Sequence, residues 1–152
     1  MERACRIVGL TAILVVGWIM APRILPKSKG DTLPAPAEKA DVERGRYLVE
    51  EVARCSECHT PRNAAGDLAP LQDLRGAPIW IMPVKPIQNW ADNAPPLAGM
   101  PGMTDEQMER VLEQGIGLQG APVRPPMHTY HMKREDARAI IAYLNSMPRE
   151  PR

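Results

Sequence analysis

The chain begins polar, turns apolar, and then alternates between short periodic segments and long stretches with no period. Arg3 and Arg6 precede an unbroken run of apolar or small residues from Ile7 to Ala21, after which Arg23 interrupts it. Such a run behind a basic start fits an export signal or a retained membrane anchor better than a buried core helix. Ile19-Met20-Ala21 is a tolerable cleavage site, but cleavage there would leave Pro22 at the new N-terminus. The expectation is therefore an uncleaved anchor over residues 1–25. Residues 26–40 hold Pro, Gly and charge without apolar periodicity, and are expected to form a semi-extended tether.

Periodicity returns at Asp41. Val42, Gly45, Val49 and Val52 share one helical face with Leu48 beside them, which predicts a helix from Asp41 to Arg54 with Asp41 as its N-cap. A glycine inside a helix costs about 1 kcal/mol relative to Ala, so Gly45 points to a close helix–helix crossing. A second helix opens at Thr104 with the capping box Thr104-Asp105-Glu106-Gln107, carries Met108, Val111 and Leu112 on its apolar face, and ends at Gly115. A third runs from Glu135 to Met147, with Ala137, Ile140, Ile141 and Leu144 on one face and Pro148 as its stop. Between the first two lies Thr60 to Met103, rich in Pro and Gly and without a period; Pro70 to Gly76 is its most structured-looking piece. Arg124-Pro125-Pro126-Met127 reads as a stiff extended segment. The pattern predicts an all-α fold over residues 41–148, with a long loop that needs something to wrap.

Cys55-Ser56-Glu57-Cys58-His59 supplies it. Two cysteines at this spacing, followed at once by histidine, form an attachment site for c-type haem. Two thiols can add across the haem vinyl groups from one backbone turn, and the adjacent imidazole can bind iron as the proximal ligand. A zinc half-site would need a second Cys or His pair, and the only other cysteine is Cys5, ahead of the apolar run. A thioredoxin-like redox pair would need a βαβ pattern, which is not visible here. Composition agrees with a buried cofactor. The 152 residues include three Trp, three Tyr, no Phe and 17 Pro, so the protein core is thin and a porphyrin would supply the missing apolar bulk. A formal net charge of +1 argues against nucleic acid as the main partner.

Haem iron with one histidine needs a second axial ligand or an open site. Met1 and Met20 belong to the N-terminal element, and Met108 and Met147 lie on apolar helix faces. Met82, Met100, Met103 and Met132, in or near loops, stay open as ligands. Met127 is preferred because two prolines hold the backbone just before it, and a stiff segment loses less entropy when a weak thioether binds. His128 and His131 are its rivals.

Gly45-Arg46-Tyr47-Leu48-Val49-Glu50, the run Cys55 to Asn63, Pro125-Pro126-Met127 and the helix over residues 139–148 together resemble the class I cytochrome c family. The likeness is greatest to the small membrane-bound cytochromes and the cytochrome subunits of bacterial dehydrogenases. It implies a small helical domain around one covalent haem, with the first and last helices crossing. It also implies Cys55 and Cys58 as thioether residues, His59 and Met127 as axial ligands, and the Pro70 carbonyl as the acceptor that orients His59. Two positions depart from the family pattern: Lys133 stands where Ser or Thr usually caps the last helix, and His128 follows the ligand methionine where Pro is common.

The expected function is one-electron transfer in a membrane-associated respiratory chain, without substrate chemistry of its own. The haem domain is expected on the periplasmic side of a bacterial inner membrane, with a dehydrogenase or an oxidase as redox partner. A relay subunit inside such a complex, and a haem enzyme or sensor with an open sixth site, are the alternatives.

Overall fold

Gly45 sits at a helix crossing and Pro148 follows the end of the last helix, as their residue types suggest, but the chain becomes helical earlier than its apolar period does. The computed structural model describes residues 36–69 and 72–149. The expected anchor (1–25) lies outside these residues, as does the tether up to residue 35. Helix α1 spans Pro36–Tyr47, so residues 36–40 are helical rather than part of a tether. Proline suits the first turn of a helix, and Ala37, Glu38, Lys39 and Ala40 are good helix formers even without an apolar stripe.

From Leu48 to Val52 the helix widens into a π-helical segment, closed by the Ala53 N–H donating to the Leu48 carbonyl at 2.8 Å. Leu48 and Val49 stay buried, but the wider turn carries Val52 off the buried face, leaving it 55% exposed. Arg54, at φ 51°, then turns the chain into Cys55.

Helix α2, Ser56–His59, is the haem-type motif itself coiled into a single turn. The long middle stretch is mostly irregular but pinned by a minimal antiparallel hairpin, β1 (Ala77–Pro78) with β2 (Asn93–Ala94), in which Ala77 pairs with Ala94. Leu74 is fully buried, and its carbonyl accepts the N–H groups of Leu97 and Ala98 at 2.9 and 3.1 Å.

Helix α3, Asp105–Gln114, has both halves of the expected capping box and ends at Gly115 in the left-handed conformation. Helix α4, Arg134–Ser146, starts at Lys133, whose side chain makes no capping bond. Its face of Ala137, Ile140, Ile141 and Leu144 joins Val49, Leu74, Met108 and Leu112 in the core. Helix α1 packs chiefly on α4, and α3 packs on α4 as well. A Cβ at Gly45 would overlap the Ala139 carbonyl and lie 2.8 Å from the Tyr143 Cβ, so the crossing requires glycine there. The described residues thus form a mostly helical domain with almost no sheet. No helix among them is long and apolar enough to cross a membrane.

Candidate functional site

Cys55 caps α2 and Cys58 lies within it, three residues on, so the two thiols share one side of the turn. The His59 N–H donates to the Cys55 carbonyl at 2.9 Å, fixing the histidine directly after the thiols. Neither cysteine is in a disulfide. Burial pushes the Cys55 thiol up to about 11, and burial followed by the Glu57 charge also raises Cys58. Both are held as protonated thiols. Around the motif, Glu57 pairs with Arg54 at 2.6 Å and Arg62 at 2.7 Å. The Trp80 indole N–H donates to the Glu57 carbonyl at 2.9 Å, while the Arg62 guanidinium stacks over its ring.

His59 is 8% exposed, and its Nδ1 lies 2.7 Å from the Pro95 carbonyl oxygen. Nδ1 must therefore carry the proton and donate, which leaves Nε2 with its lone pair. Burial holds the imidazole pKa below its usual value, and the hydrogen bond to Pro95 opposes this only in part. The resulting species is the neutral imidazole that a metal ligand requires. The acceptor observed is the Pro95 carbonyl; Pro70, the acceptor expected from sequence, lies outside the described residues. The hairpin accounts for the place of Pro95: β2 ends at Ala94 and delivers it to the ring, while the Gly76 N–H, just before β1, donates to the His59 carbonyl at 2.7 Å.

A cavity of about 600 Å³ opens beside this turn, and Cys55, Cys58, His59, Met127 and His128 all line it. Its walls include Ile79, Leu97, Val111, Leu112, Ile140 and Leu144. His131 is exposed and does not reach the cavity. Of the other methionines, Met103 and Met108 line it, Met100 is core, Met132 packs on the core and Met82 is exposed. Tyr130 also lines it, donating its hydroxyl to the Ala53 carbonyl at 3.3 Å and packing 4.2 Å from the His128 ring. Burial pushes the Tyr130 hydroxyl up to about 12.

Met127 does not follow an extended segment. The chain turns at Pro125–Pro126, joined by a cis peptide, and the Met127 N–H donates to the Arg124 carbonyl at 3.1 Å. The turn is held by the 89–91 loop: Arg124 donates to the carbonyls of Asn89 and Trp90 at 3.1 and 2.7 Å, and the Ala91 N–H donates to the Pro125 carbonyl at 2.7 Å.

These residues fit haem c. The volume suits a large flat ligand, the walls are apolar, two thiols stand on one turn, and a neutral imidazole keeps one nitrogen free. Pro95 and Tyr130 were not singled out from sequence as parts of the site, whereas Met103 was left open there as a ligand. Pro95 reaches it from 36 positions beyond His59, and no local spacing marks it or Tyr130.

The class this fold and site define is a c-type cytochrome domain, an electron-transfer module. Residues 40–144 match the family described as cytochrome c oxidase, cbb3-type, subunit III, and the chain belongs to that family. Among curated proteins it is similar to the cytochrome c subunit of alcohol dehydrogenase (quinone) from Gluconacetobacter polyoxogenes, 32% identical over 146 residues, covering 88% of this chain and 30% of that one. The fructose dehydrogenase cytochrome subunit of Gluconobacter japonicus is 35% identical over 115 residues, covering 71% of this chain and 22% of that subunit. A protein named diheme cytochrome c-type from Cereibacter sphaeroides is 35% identical over 128 residues, covering 79% of this chain and 38% of its own length. The chain therefore spans well under half the length of these relatives.

Proposed function

We propose that this domain carries one covalent haem c, bound through Cys55 and Cys58, with His59 and Met127 as axial ligands, and relays single electrons for a dehydrogenase. The observation that carries this reading is that all four residues line one apolar cavity, with His59 kept neutral by burial and its ring oriented by the Pro95 carbonyl. Haem bound there supplies a one-electron couple, and a thioether as sixth ligand raises its potential. The chain's own residues do the rest. Cys55 and Cys58 fix the group covalently, Pro95 orients the His59 ring, and the Arg124 clamp holds Met127 in place. The single Cys-x-x-Cys-His in the sequence supports one haem. Relatives that are cytochrome subunits of dehydrogenases support a dehydrogenase as partner in preference to an oxidase. The apolar run Ile7 to Ala21 supports a membrane anchor, with the domain on the periplasmic side of a bacterial inner membrane in a respiratory chain.

One observation favours a second reading. His128 lines the same cavity, so a bis-histidine site is the alternative. Met127→Ala and His128→Ala in the haem-loaded protein separate the two. The Met127 variant is expected to keep covalent haem, lose the sulfur-to-iron optical band, fall in reduction potential and gain cyanide binding, while His128→Ala changes none of these. A normal spectrum in Met127→Ala with a lost sixth ligand in His128→Ala would overturn Met127 as ligand.

A further inference from the structure

Ser56 and Thr60 bracket α2, as its first residue and its C-cap. Both hydroxyls donate to the same oxygen, Asp73 Oδ1, each at 2.8 Å. The buried Thr60 hydroxyl oxygen accepts the Leu74 N–H at 2.9 Å, and the Gly76 N–H reaches the His59 carbonyl. Residues 73–76 are thus stitched along the whole length of the motif. Leu74, fully buried and at φ 54°, fixes the place of the carboxylate just before it.

A carboxylate is more than these hydrogen bonds need, since a neutral amide oxygen accepts two hydroxyls equally well. Among the described residues no Lys or Arg pairs with Asp73 in an ion pair. A half-buried negative charge therefore stands against the turn that carries the attachment cysteines and His59. Such a charge favours the more positive of two oxidation states, and a partly dry setting weakens its screening.

We propose that Asp73 is a positioning residue for the Cys55–His59 turn and that its charge holds the reduction potential of the bound group down. The proposal rests on the haem reading above. In Asp73→Asn one amide oxygen can keep both hydroxyl bonds while the charge is lost.

The test is redox titration at neutral pH of the full, haem-loaded chain. Asp73→Asn is expected to keep covalent haem and an unchanged spectrum, while its reduced-to-oxidised ratio at a fixed poise rises about threefold. That is about 30 mV upward for a one-electron couple. Asp73→Ser, a smaller neutral acceptor, should shift the same way and reads the charge if the amide disturbs the turn. Ser56→Ala, which keeps the charge and drops one hydrogen bond, should lose thermal stability without the upward shift. Glu43→Gln, an exposed carboxylate removed from α1, should leave the potential alone. A wild-type potential in both neutral Asp73 variants, or an equal upward shift in Ser56→Ala, would overturn the role of the charge. Failure of the haem reading itself would show earlier, as wild-type protein without covalent haem.

Discussion

Gly45 and Ala139 meet where α1 crosses α4, the glycine lying against the Ala139 carbonyl with no room for a side chain. Gly45→Ala must push the helices apart or bend one of them, and overpacking of this kind costs about 1–3 kcal/mol. Denaturant melts of the loaded protein should show that loss. An unchanged midpoint would mean that the crossing is looser than described.

Thr104 and Gln107 satisfy each other's backbone groups at the start of α3, at 2.8 and 3.3 Å. Thr104→Ala should cost about 1 kcal/mol, and Thr104→Ser should restore most of it. Thermal denaturation is the measurement, and equal melting of all three proteins would remove the cap from the account.

In the proposed reading, covalent attachment rests on Cys55 and Cys58, the one Cys-x-x-Cys pair in the sequence. Cys55→Ala combined with Cys58→Ala should leave no haem bound through acid–acetone extraction, and little folded protein. Haem that survived that extraction would exclude thioether attachment at this turn.

Alkaline stability should depend on Tyr130. Its hydroxyl titrates near 10 in an unfolded chain and at about 12 in the fold, because burial disfavours the phenolate. A raised folded value makes this contribution full below about pH 10, and the contribution is lost as pH rises through about 12. Tyr130→Phe should therefore flatten the fall in stability over that window. Equally steep alkaline melts for both proteins would count against it.

Much of this was legible in the sequence, and the parts that were not have a common cause. α3 could be read almost to the residue because its cap, apolar face and terminal glycine are all local. The crossing glycine and the single turn that follows Cys55 were readable for the same reason. The start of α1 was missed because helix formers without an apolar stripe carry no periodic signal. Val52 was misplaced because the π-helical segment shifts the face of the helix. Pro95 was missed because its contact spans 36 positions and exists only once the hairpin forms. The turn at Pro125–Pro126 depends on a clamp from Arg124 to residues more than thirty positions away.

Residues 89–95 link the two ends of the proposed ligand pair. Asn89, Trp90 and Ala91 hold the turn that carries Met127, and Pro95, just after β2, holds the ring of His59. One short stretch of backbone is thus a common spine for both supports. A lesion there would loosen histidine and methionine together, although neither residue had been altered. An insertion between Asn89 and Pro95 would therefore change the grip on both sides of the cavity at once.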